Sequence, residues 1–378
     1  MTSPSPSRPA ERPELLGLPF DRLKDTLKPW VDRPFRARQI YDALHRREAA
    51  SFDEITDLPK ALRHKLGECF RIALPKVAER HQAADGTVKY LFALDERSTI
   101  EAVDIPDGKR HTLCISSQAG CALACSFCVT GFWGAGRNLT AGEIVAQVRR
   151  VRRDGDLPEG LNLVFMGMGE PLLNLDNLRT AFGILVESIS PRRITVSTAG
   201  IVPGIDALAA WPQRPNLAIS LHAPDDALRS RLMPVNRTHP LAELRAALGR
   251  YPLEKGRKLT FEYILLRGIN DSFDHADRLA RLLRGLPSKV NLIPMNPDPV
   301  LGDDLQPPSN DRIDGFHRRL KGHGVLSTVR RQRGDEVSAA CGQLRVQGRA
   351  PKTFEGRSLG EGFIGQRRRS PRESPSAK

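Results

Sequence analysis

The feature that most constrains the fold is a strand–loop–helix alternation that begins near His111 and continues to Val329. Seven short apolar runs are predicted strands, at 112–116, 161–165, 193–196, 217–220, 259–265, 290–294 and 324–329. Amphipathic stretches between them, at 141–152, 175–188, 241–251 and 276–283, are predicted helices. Buried parallel strands separated by helices predict an α/β barrel, which is either closed or incomplete.

The residues before this alternation predict two smaller parts. Amphipathic patterns near residues 36–44 and 60–66 predict a small helical domain over residues 15–85. Period-two alternation at 88–94 and 99–105 predicts a β-hairpin extension over 86–110, ahead of the barrel domain over 111–347. The polar ends, 1–14 and 348–378, are expected to be a disordered lead-in and a flexible basic tail.

The chain carries a net charge of +14, which favours a polyanionic partner such as nucleic acid. Basic side chains on the predicted helical domain can contact phosphate groups or form an ordinary solvated surface. This set is Arg33, Arg36, Arg38, Arg46, Arg47, Lys60, Arg63 and Lys65. No apolar run approaches the ~20 residues of a membrane span, and the first residues lack an apolar signal segment. The cytoplasm is therefore the expected location.

Four of the six cysteines lie within fifteen residues, which points to metal or redox chemistry. Cys121-x-x-x-Cys125-x-x-Cys128 offers three thiolates on one short loop. Iron–sulfur clusters usually take four cysteine ligands, so a cluster on this loop has one iron open to another ligand. A zinc site with His111 or His222 as the fourth ligand is the alternative.

Distinctive polar motifs follow several predicted strands. The cysteine loop follows the first strand, and Gly167-Met-Gly-Glu-Pro171 follows the second. Ser197 ends the third strand, Ser220-Leu-His222 ends the fourth, and Asn296 follows the sixth. Loops at the carboxyl ends of barrel strands meet at one site, so these motifs are predicted to share a pocket.

These motifs carry a resemblance to a known family. The cysteine spacing, with Phe127 before the third cysteine, resembles the signature of the radical S-adenosylmethionine (SAM) superfamily. Longer strings over residues 35–344 resemble the RlmN/Cfr family of radical SAM RNA adenine methyltransferases, and its RlmN branch in particular. The strings are RHTLCISSQAGC (110–121), RNLTAGEI (137–144), MGMGEPLLN (166–174), VSTAG (196–200), SLHAP (220–224), NLIPMNP (291–297) and RGDEVSAACGQL (333–344).

The resemblance implies a partial (β/α)6 radical SAM barrel and a set of residue roles. Cys121, Cys125 and Cys128 are implied to hold a 4Fe–4S cluster whose open iron binds SAM. Cys341 is implied to become S-methylcysteine, Cys114 to pair with it later as a disulfide, and Glu101 to accept a proton. The residues implied to bind SAM are Gly169, Glu170, Ser197, Ser220, Leu221, His222 and Asn296.

The resemblance also implies the reaction, which is methylation of carbon 2 of an adenine in 23S ribosomal RNA, with tRNA as a second candidate substrate. That carbon is electron-poor and does not attack the methyl group of SAM, so a thiolate must take the methyl group first. A second SAM then supplies a 5′-deoxyadenosyl radical that abstracts hydrogen from the S-methyl group. A flavodoxin or ferredoxin as electron donor, and a monomeric enzyme, are expected.

Alternatives remain open at this stage. Motif spacing does not separate methylation at carbon 2 from methylation at carbon 8, and a non-catalytic iron–sulfur or zinc RNA-binding protein and a radical SAM enzyme for a small molecule are further candidates. Cys341 and Cys114 also fit small buried residues. Glu101 also fits a solvent-facing carboxylate of an alternating strand, and His222 fits a hydrogen-bonded core histidine.

Overall fold

The structure is a computed structural model that describes residues 12–96, 98–155, 157, 160–330, 334 and 342–344. Cys341, the whole predicted tail and most of the predicted lead-in lie outside these ranges.

Helices and strands alternate through most of the described chain. The helices are α1 (Phe20–Leu27), α2 (Pro34–His45), α3 (Lys60–Cys69), α4 (Ala141–Asp154), α5 (Leu175–Leu185), α6 (Val202–Ala209), α7 (Asp226–Leu232), α8 (Leu241–Arg250), α9 (Phe273–Leu283) and α10 (Asn310–Gly322). The strands are β1 (Lys76–Gln82), β2 (Val88–Ala93), β3 (Thr99–Asp107), β4 (Arg110–Cys114), β5 (Asn162–Phe165), β6 (Ile194–Thr198), β7 (Asn216–Ser220), β8 (Leu259–Leu265), β9 (Ser288–Pro294) and β10 (Ser327–Val329). None of these helices combines the length and apolar character that crossing a lipid bilayer requires.

These strands form one sheet in which the spatial order follows the chain order. Neighbouring strands from β1 to β4 pair antiparallel, and those from β4 to β10 pair parallel. Helices separate successive parallel strands, which is the connectivity of a barrel built from βα units. The predicted α/β barrel with a helical N-terminal region is therefore confirmed. Each predicted barrel strand overlaps one of β4–β10, and the strand predicted at 259–265 coincides with β8.

The extension ahead of the barrel is larger than the predicted hairpin. It has three strands, because β1 pairs with β2 from Lys76 onward, inside the range predicted to be helical. Most side chains of β1 are exposed, and its pairing is interrupted by a register shift between Val77 and Glu79. An edge strand held mainly by backbone hydrogen bonds leaves little hydrophobic periodicity in the sequence.

The helical region packs against the barrel through α4. The first turn of α4 is closed by a capping box between Thr140 and Glu143. Farther along α4, the guanidinium of Arg149 donates to the carbonyl oxygen of Ala49 at 2.6 Å. Helices α1–α3 surround their own apolar cluster, which includes Leu23, Ile40, Leu44 and Leu66. The barrel has a separate and larger core, so two cores meet at α4.

Candidate active site at the carboxyl ends of the barrel strands

A cavity of about 160 Å³ lies at the carboxyl ends of the barrel strands. Its wall takes one or more residues from the loops after β4 and β5 and from the ends of β6 to β9. Eight residues predicted from the sequence line it together: Cys121, Cys125, Cys128, Gly169, Glu170, Ser197, Ser220 and His222. For these eight residues, the structure therefore shows the predicted convergence of the post-strand motifs on one pocket.

The loop after β4 carries the three cysteines along the cavity wall. Burial and the neighbouring thiols raise the pKa of Cys121 to about 12 and that of Cys125 well above its usual value. Buried thiolates are stable only beside positive charge, and metal coordination supplies that charge and deprotonates the thiol. Three thiols that line one cavity, two of them desolvated, therefore fit an iron–sulfur cluster as its ligands.

The zinc alternative finds little support from the two histidines. His111 lies outside the cavity wall, and its Nδ1 is 3.0 Å from Oδ1 of Asp104 on the neighbouring strand. Nδ1 of His222 accepts a hydrogen bond from the backbone N–H of Ile264 at 3.0 Å. Within the described ranges, no group of three or more His, Cys, Asp or Glu side chains is arranged to hold a single metal ion, whereas a 4Fe–4S cluster takes one thiolate on each of three separate irons.

The glycine-rich loop after β5 must lie close to the loop after β4. A Cβ atom on Gly167 would lie 2.6 Å from the backbone carbonyl carbon of Ile115. Gly169 has a φ of +96°, and a Cβ atom there would lie 2.5 Å from Cβ of Gln118. Both positions therefore require glycine, and the close approach brings Glu170 to the cavity.

Glu170 is a fully buried carboxylate on the cavity wall. Its Oε2 accepts from the backbone N–H of Ala199 at 2.8 Å, and its Oε1 accepts from that of Leu172 at 3.1 Å. Burial raises the pKa of Glu170 to about 7, although these hydrogen bonds oppose the shift. A carboxylate held in this way is oriented to meet a cationic group of a ligand.

His222 combines a strained backbone with a fixed imidazole. Its φ is +58°, a left-handed conformation that is uncommon for a residue with a side chain. Because Nδ1 accepts a hydrogen bond, the proton of the neutral ring is on Nε2. Burial lowers the pKa of His222 to about 3, and its ring packs edge-on against Phe127. His222 is thus both a buried, hydrogen-bonded histidine and a residue of the cavity wall.

Two residues predicted to bind SAM are not on the cavity wall. The side chain of Leu221 packs in the barrel core, and its backbone N–H donates to the carbonyl oxygen of Glu262. Asn296 is buried just beyond the end of β9. Leu221 directly follows the last residue of β7, and its side chain is in the core although its neighbours Ser220 and His222 both line the cavity.

Glu101 and Cys114 lie in the extension and the first barrel strand, away from the cavity wall. Cys114 pairs with Val103, which is two residues from Glu101, so both side chains are on the same face of the sheet. Glu101 is only 1% exposed, and its Oε1 is 3.4 Å from Nζ of Lys89. The alternative of a solvent-facing carboxylate is therefore wrong for Glu101.

Cys341 lies outside the described residues, but the segment that follows it is described. Gly342 lines the cavity, and its carbonyl oxygen accepts from the backbone N–H of Val129 at 2.7 Å. The hydroxyl of Thr130 donates to the carbonyl oxygen of Leu344 at 2.7 Å. Residues 342–344 are thus held against the segment that directly follows Cys128.

Two buried charged residues near the site were not predicted from the sequence. Arg229 has no exposed surface. Its guanidinium donates hydrogen bonds to the carbonyl oxygens of Ala199, Ser220 and Leu221, and these bonds join the end of β6 to the end of β7. Glu262 lies in the middle of β8 and lines the cavity. A charged residue inside an otherwise apolar strand is a signal that could have identified Glu262. No comparable pattern in the sequence marks Arg229 as a buried residue.

Comparisons with known proteins cover nearly the whole chain. Residues 115–282 match the family model described as the radical SAM superfamily, and residues 13–72 match that of the ribosomal RNA large subunit methyltransferase N-terminal domain. A "Dual-specificity RNA methyltransferase RlmN" from Anaeromyxobacter sp. is 46% identical over 92% of this chain and 95% of its own. The protein with the same name from Geobacter sulfurreducens is 49% identical over 88% of this chain and 92% of its own.

A solved structure has the same fold. The crystal structure of a radical SAM methyltransferase from Sphaerobacter thermophilus is 46% identical in sequence and has a TM-score of 0.82. The match covers 88% of this chain and 99% of that chain.

Proposed function

The chain belongs to the RlmN family of radical SAM RNA methyltransferases, and we propose that it methylates carbon 2 of an adenine in 23S ribosomal RNA. The observation that carries the proposal is a cavity in which Cys121, Cys125 and Cys128 meet Glu170, in a chain similar to RlmN proteins over nine-tenths of its length. Transfer RNA is proposed as a second substrate, in keeping with the "dual-specificity" name of the relatives.

The three cysteines are proposed to hold a 4Fe–4S cluster, and the cavity beside them to hold SAM. When bound, the cluster supplies the electron that cleaves SAM and so provides a radical that abstracts hydrogen. The protein's task is to bind, orient and shield these groups. Glu170 is proposed to bind the ammonium group of SAM, and Ser197, Ser220 and the Nε2–H of His222 offer hydrogen bonds along the same wall.

Cys341 is proposed to carry the methyl group to the RNA. The packing of Gly342 on the cavity wall supports this role, since Gly342 is the next residue in the chain. A thiolate accepts a methyl group from SAM readily, whereas the electron-poor carbon 2 of adenine does not. Cys114 is proposed to release the methylated RNA by forming a disulfide with Cys341.

Glu101 is proposed to accept the proton that leaves carbon 2. Its carboxylate is buried, and the ammonium group of Lys89 offsets the cost of burying that charge. A buried, oriented carboxylate is suited to act as a general base once the substrate reaches it.

The basic helical region is proposed to bind the RNA phosphates around the target adenine. The arginines of α2 and the lysines of α3 belong to a chain with a net charge of +14, and counterion release makes such binding salt-sensitive. The target adenine must be unstacked before carbon 2 can reach the cavity. The enzyme is further proposed to be a cytoplasmic monomer. Its electrons are proposed to come from a flavodoxin or ferredoxin.

The proposal is tested by anaerobic reconstitution with iron and sulfide, followed by reaction with SAM, a reductant and a 23S rRNA fragment. Mass spectrometry of the digested nucleosides is expected to show 2-methyladenosine with the wild-type protein and none with Cys341→Ala. Detection of 8-methyladenosine instead would assign the chain to carbon 8. SAM cleavage without any methylated base would contradict the proposed substrate.

A further inference from the structure

Thr130 takes no part in the proposed chemistry, yet its side chain is buried close to the cysteine loop. It is 3% exposed and lies in a short 3-10 helix, Val129–Trp133, that begins directly after Cys128. Its hydroxyl donates to the carbonyl oxygen of Leu344 at 2.7 Å. Thr130 therefore joins the end of the cysteine loop to residues 342–344.

A backbone contact lies beside this hydrogen bond. The backbone N–H of Val129 donates to the carbonyl oxygen of Gly342 at 2.7 Å. Gly342 has a φ of +84°, and a Cβ atom there would lie 3.1 Å from the carbonyl oxygen of Phe127. Glycine at this position thus allows the two segments to approach to backbone contact, with Gly342 on the cavity wall.

Gln343 attaches the same segment to a second part of the barrel. Its side chain is 4% exposed, and its Nε2 donates to the carbonyl oxygen of Pro297 at 3.1 Å. Pro297 lies just beyond the end of β9. Residues 342–344 are therefore held from two directions, by Thr130 after the cysteine loop and by Gln343 at the loop after β9.

Transfer of a methyl group to a thiolate has a strict geometry. Sγ of Cys341 would form a bond to the methyl carbon while the bond from that carbon to the sulfonium sulfur of SAM breaks. The bonding electron pair stays with the leaving sulfur, and the thiol proton is lost to solvent when the thiolate forms. The two sulfur atoms must lie in line on opposite sides of the carbon, and a misplacement of about 1 Å can cost about 100-fold in rate.

We propose that Thr130 and Gln343 are positioning residues that align the thiolate of Cys341 with the methyl group it accepts. The inference rests on the proposed function, because it takes Cys341 to be the methyl carrier. Cys341 is bonded directly to Gly342, so the anchored segment limits where its sulfur can reach. Neither Thr130 nor Gln343 belongs to the described part of the cavity wall, so both act through Cys341 and not by contact with SAM.

The test measures the first methyl transfer alone, in the absence of RNA. Protein is prepared without iron, so that Cys341 starts as a free thiol, which its mass verifies, and the cluster is then reconstituted anaerobically. SAM with a deuterated methyl group is added, and peptide mass spectrometry follows the label on Cys341 over time. Calorimetry measures SAM binding by the same preparations.

Thr130→Val and Gln343→Met each remove one donor at nearly constant volume. Each variant is expected to slow label incorporation about 10- to 100-fold. SAM binding should be unchanged, because neither side chain is on the described cavity wall. Thr130→Ser keeps the hydroxyl and is expected to restore the wild-type rate.

Hydrogen exchange gives a readout that does not depend on the reaction. The amide of Val129 is protected by its hydrogen bond to the carbonyl oxygen of Gly342, so release of residues 342–344 exposes it. Exchange at Val129 is expected to be faster in Thr130→Val than in wild type, and to be normal in Thr130→Ser.

Thr180→Val is the matched control. The hydroxyl of Thr180 also donates to a backbone carbonyl oxygen, that of Asp176 at 3.0 Å, but it does so on α5. This variant should leave both methyl transfer to Cys341 and exchange at Val129 as they are in wild type.

The outcomes separate the inference from the proposed function. Label incorporation at the wild-type rate in Thr130→Val and Gln343→Met would overturn the inference and leave the proposed function intact. A loss of SAM binding that matches the loss of transfer would also overturn it, because both residues would then support the cavity itself. Should Thr130→Val fail to fold, Gln343→Met decides. Absence of label on Cys341 in wild type that binds SAM would instead contradict the proposed function.

Discussion

At the scale of single residues, Glu170 shows how burial and hydrogen bonding compete. Two backbone N–H groups stabilise its charged form, yet desolvation prevails and raises its pKa to about 7. The carboxyl group therefore changes charge close to neutral pH. A ligand with an ammonium group selects the ionised form.

This balance predicts that SAM binds more weakly as the pH falls. Between pH 8 and pH 6 the ionised fraction of Glu170 drops about tenfold, so the dissociation constant of SAM should rise about tenfold. Equilibrium titrations of the reconstituted protein across this range measure the effect. Glu170→Gln should bind SAM weakly at every pH, and an equally steep pH dependence in that variant would assign the titration to another group.

Substitutions at Lys89 and Glu101 separate the structural role of this ion pair from the proposed catalytic role of Glu101. Lys89→Met leaves the buried carboxylate without the ammonium group 3.4 Å away, and it should lower the free energy of unfolding by about 3 to 5 kcal/mol. Chemical denaturation measures that change. The double variant Lys89→Met/Glu101→Gln should recover much of the lost free energy of unfolding.

Glu101→Gln alone should fold but lose at least about 100-fold in the rate of RNA methylation, because a general base contributes about that much or more. Single-turnover assays with RNA check this expectation. Retained activity in a folded Glu101→Gln variant would remove Glu101 from the proton transfer.

At the scale of secondary-structure elements, Arg229 joins the carboxyl ends of β6 and β7. Its guanidinium satisfies carbonyl oxygens of both strand ends and the side chain of Asn236. Arg229→Leu leaves these buried acceptors without donors, so we expect about 3 to 5 kcal/mol of lost stability and weaker SAM binding.

Thermal unfolding and calorimetry test the Arg229 prediction. Arg250→Ala breaks an exposed ion pair with Asp206 and serves as the control, with almost no effect expected. Equal effects of the two variants would show that the burial of Arg229 does not stabilise the strand ends.

The elements also show which parts of the fold and site could be predicted from the sequence. Strand β8 was predicted with its observed bounds because a fully buried parallel strand is rich in apolar residues, which here surround Thr260 and Glu262. Eight residues of the post-strand motifs line one cavity because parallel strands present their carboxyl ends together, whereas Leu221 and Asn296 do not line it. Strand β1 was missed because exposed edge strands lack periodicity, and Arg229 was missed because only the tertiary structure buries it.

At the scale of the whole molecule, the helical region and the barrel meet through backbone contact. A Cβ atom on Gly17 would lie 2.5 Å from the backbone nitrogen of Gly142 in α4. Gly17→Ala must therefore separate the two parts locally. We expect a lower melting temperature and weaker RNA binding, with SAM binding unchanged because the cavity is formed by the barrel.

The control for this prediction is Gly183→Ala in α5, where an added Cβ meets nothing within 4 Å. Alanine in a helix interior should leave stability unchanged or raise it by up to about 1 kcal/mol. If Gly17→Ala behaves like Gly183→Ala in unfolding and RNA-binding assays, the contact between the two parts does not contribute to RNA binding.

The measurement that tests the central claim most directly uses SAM with a fully deuterated methyl group. If Cys341 carries the methyl group and loses one hydrogen from it before transfer, the methyl group of 2-methyladenosine should contain two deuterium atoms. Mass spectrometry of the digested RNA counts them. A methyl group with three deuterium atoms would mean direct transfer from SAM and would contradict the account.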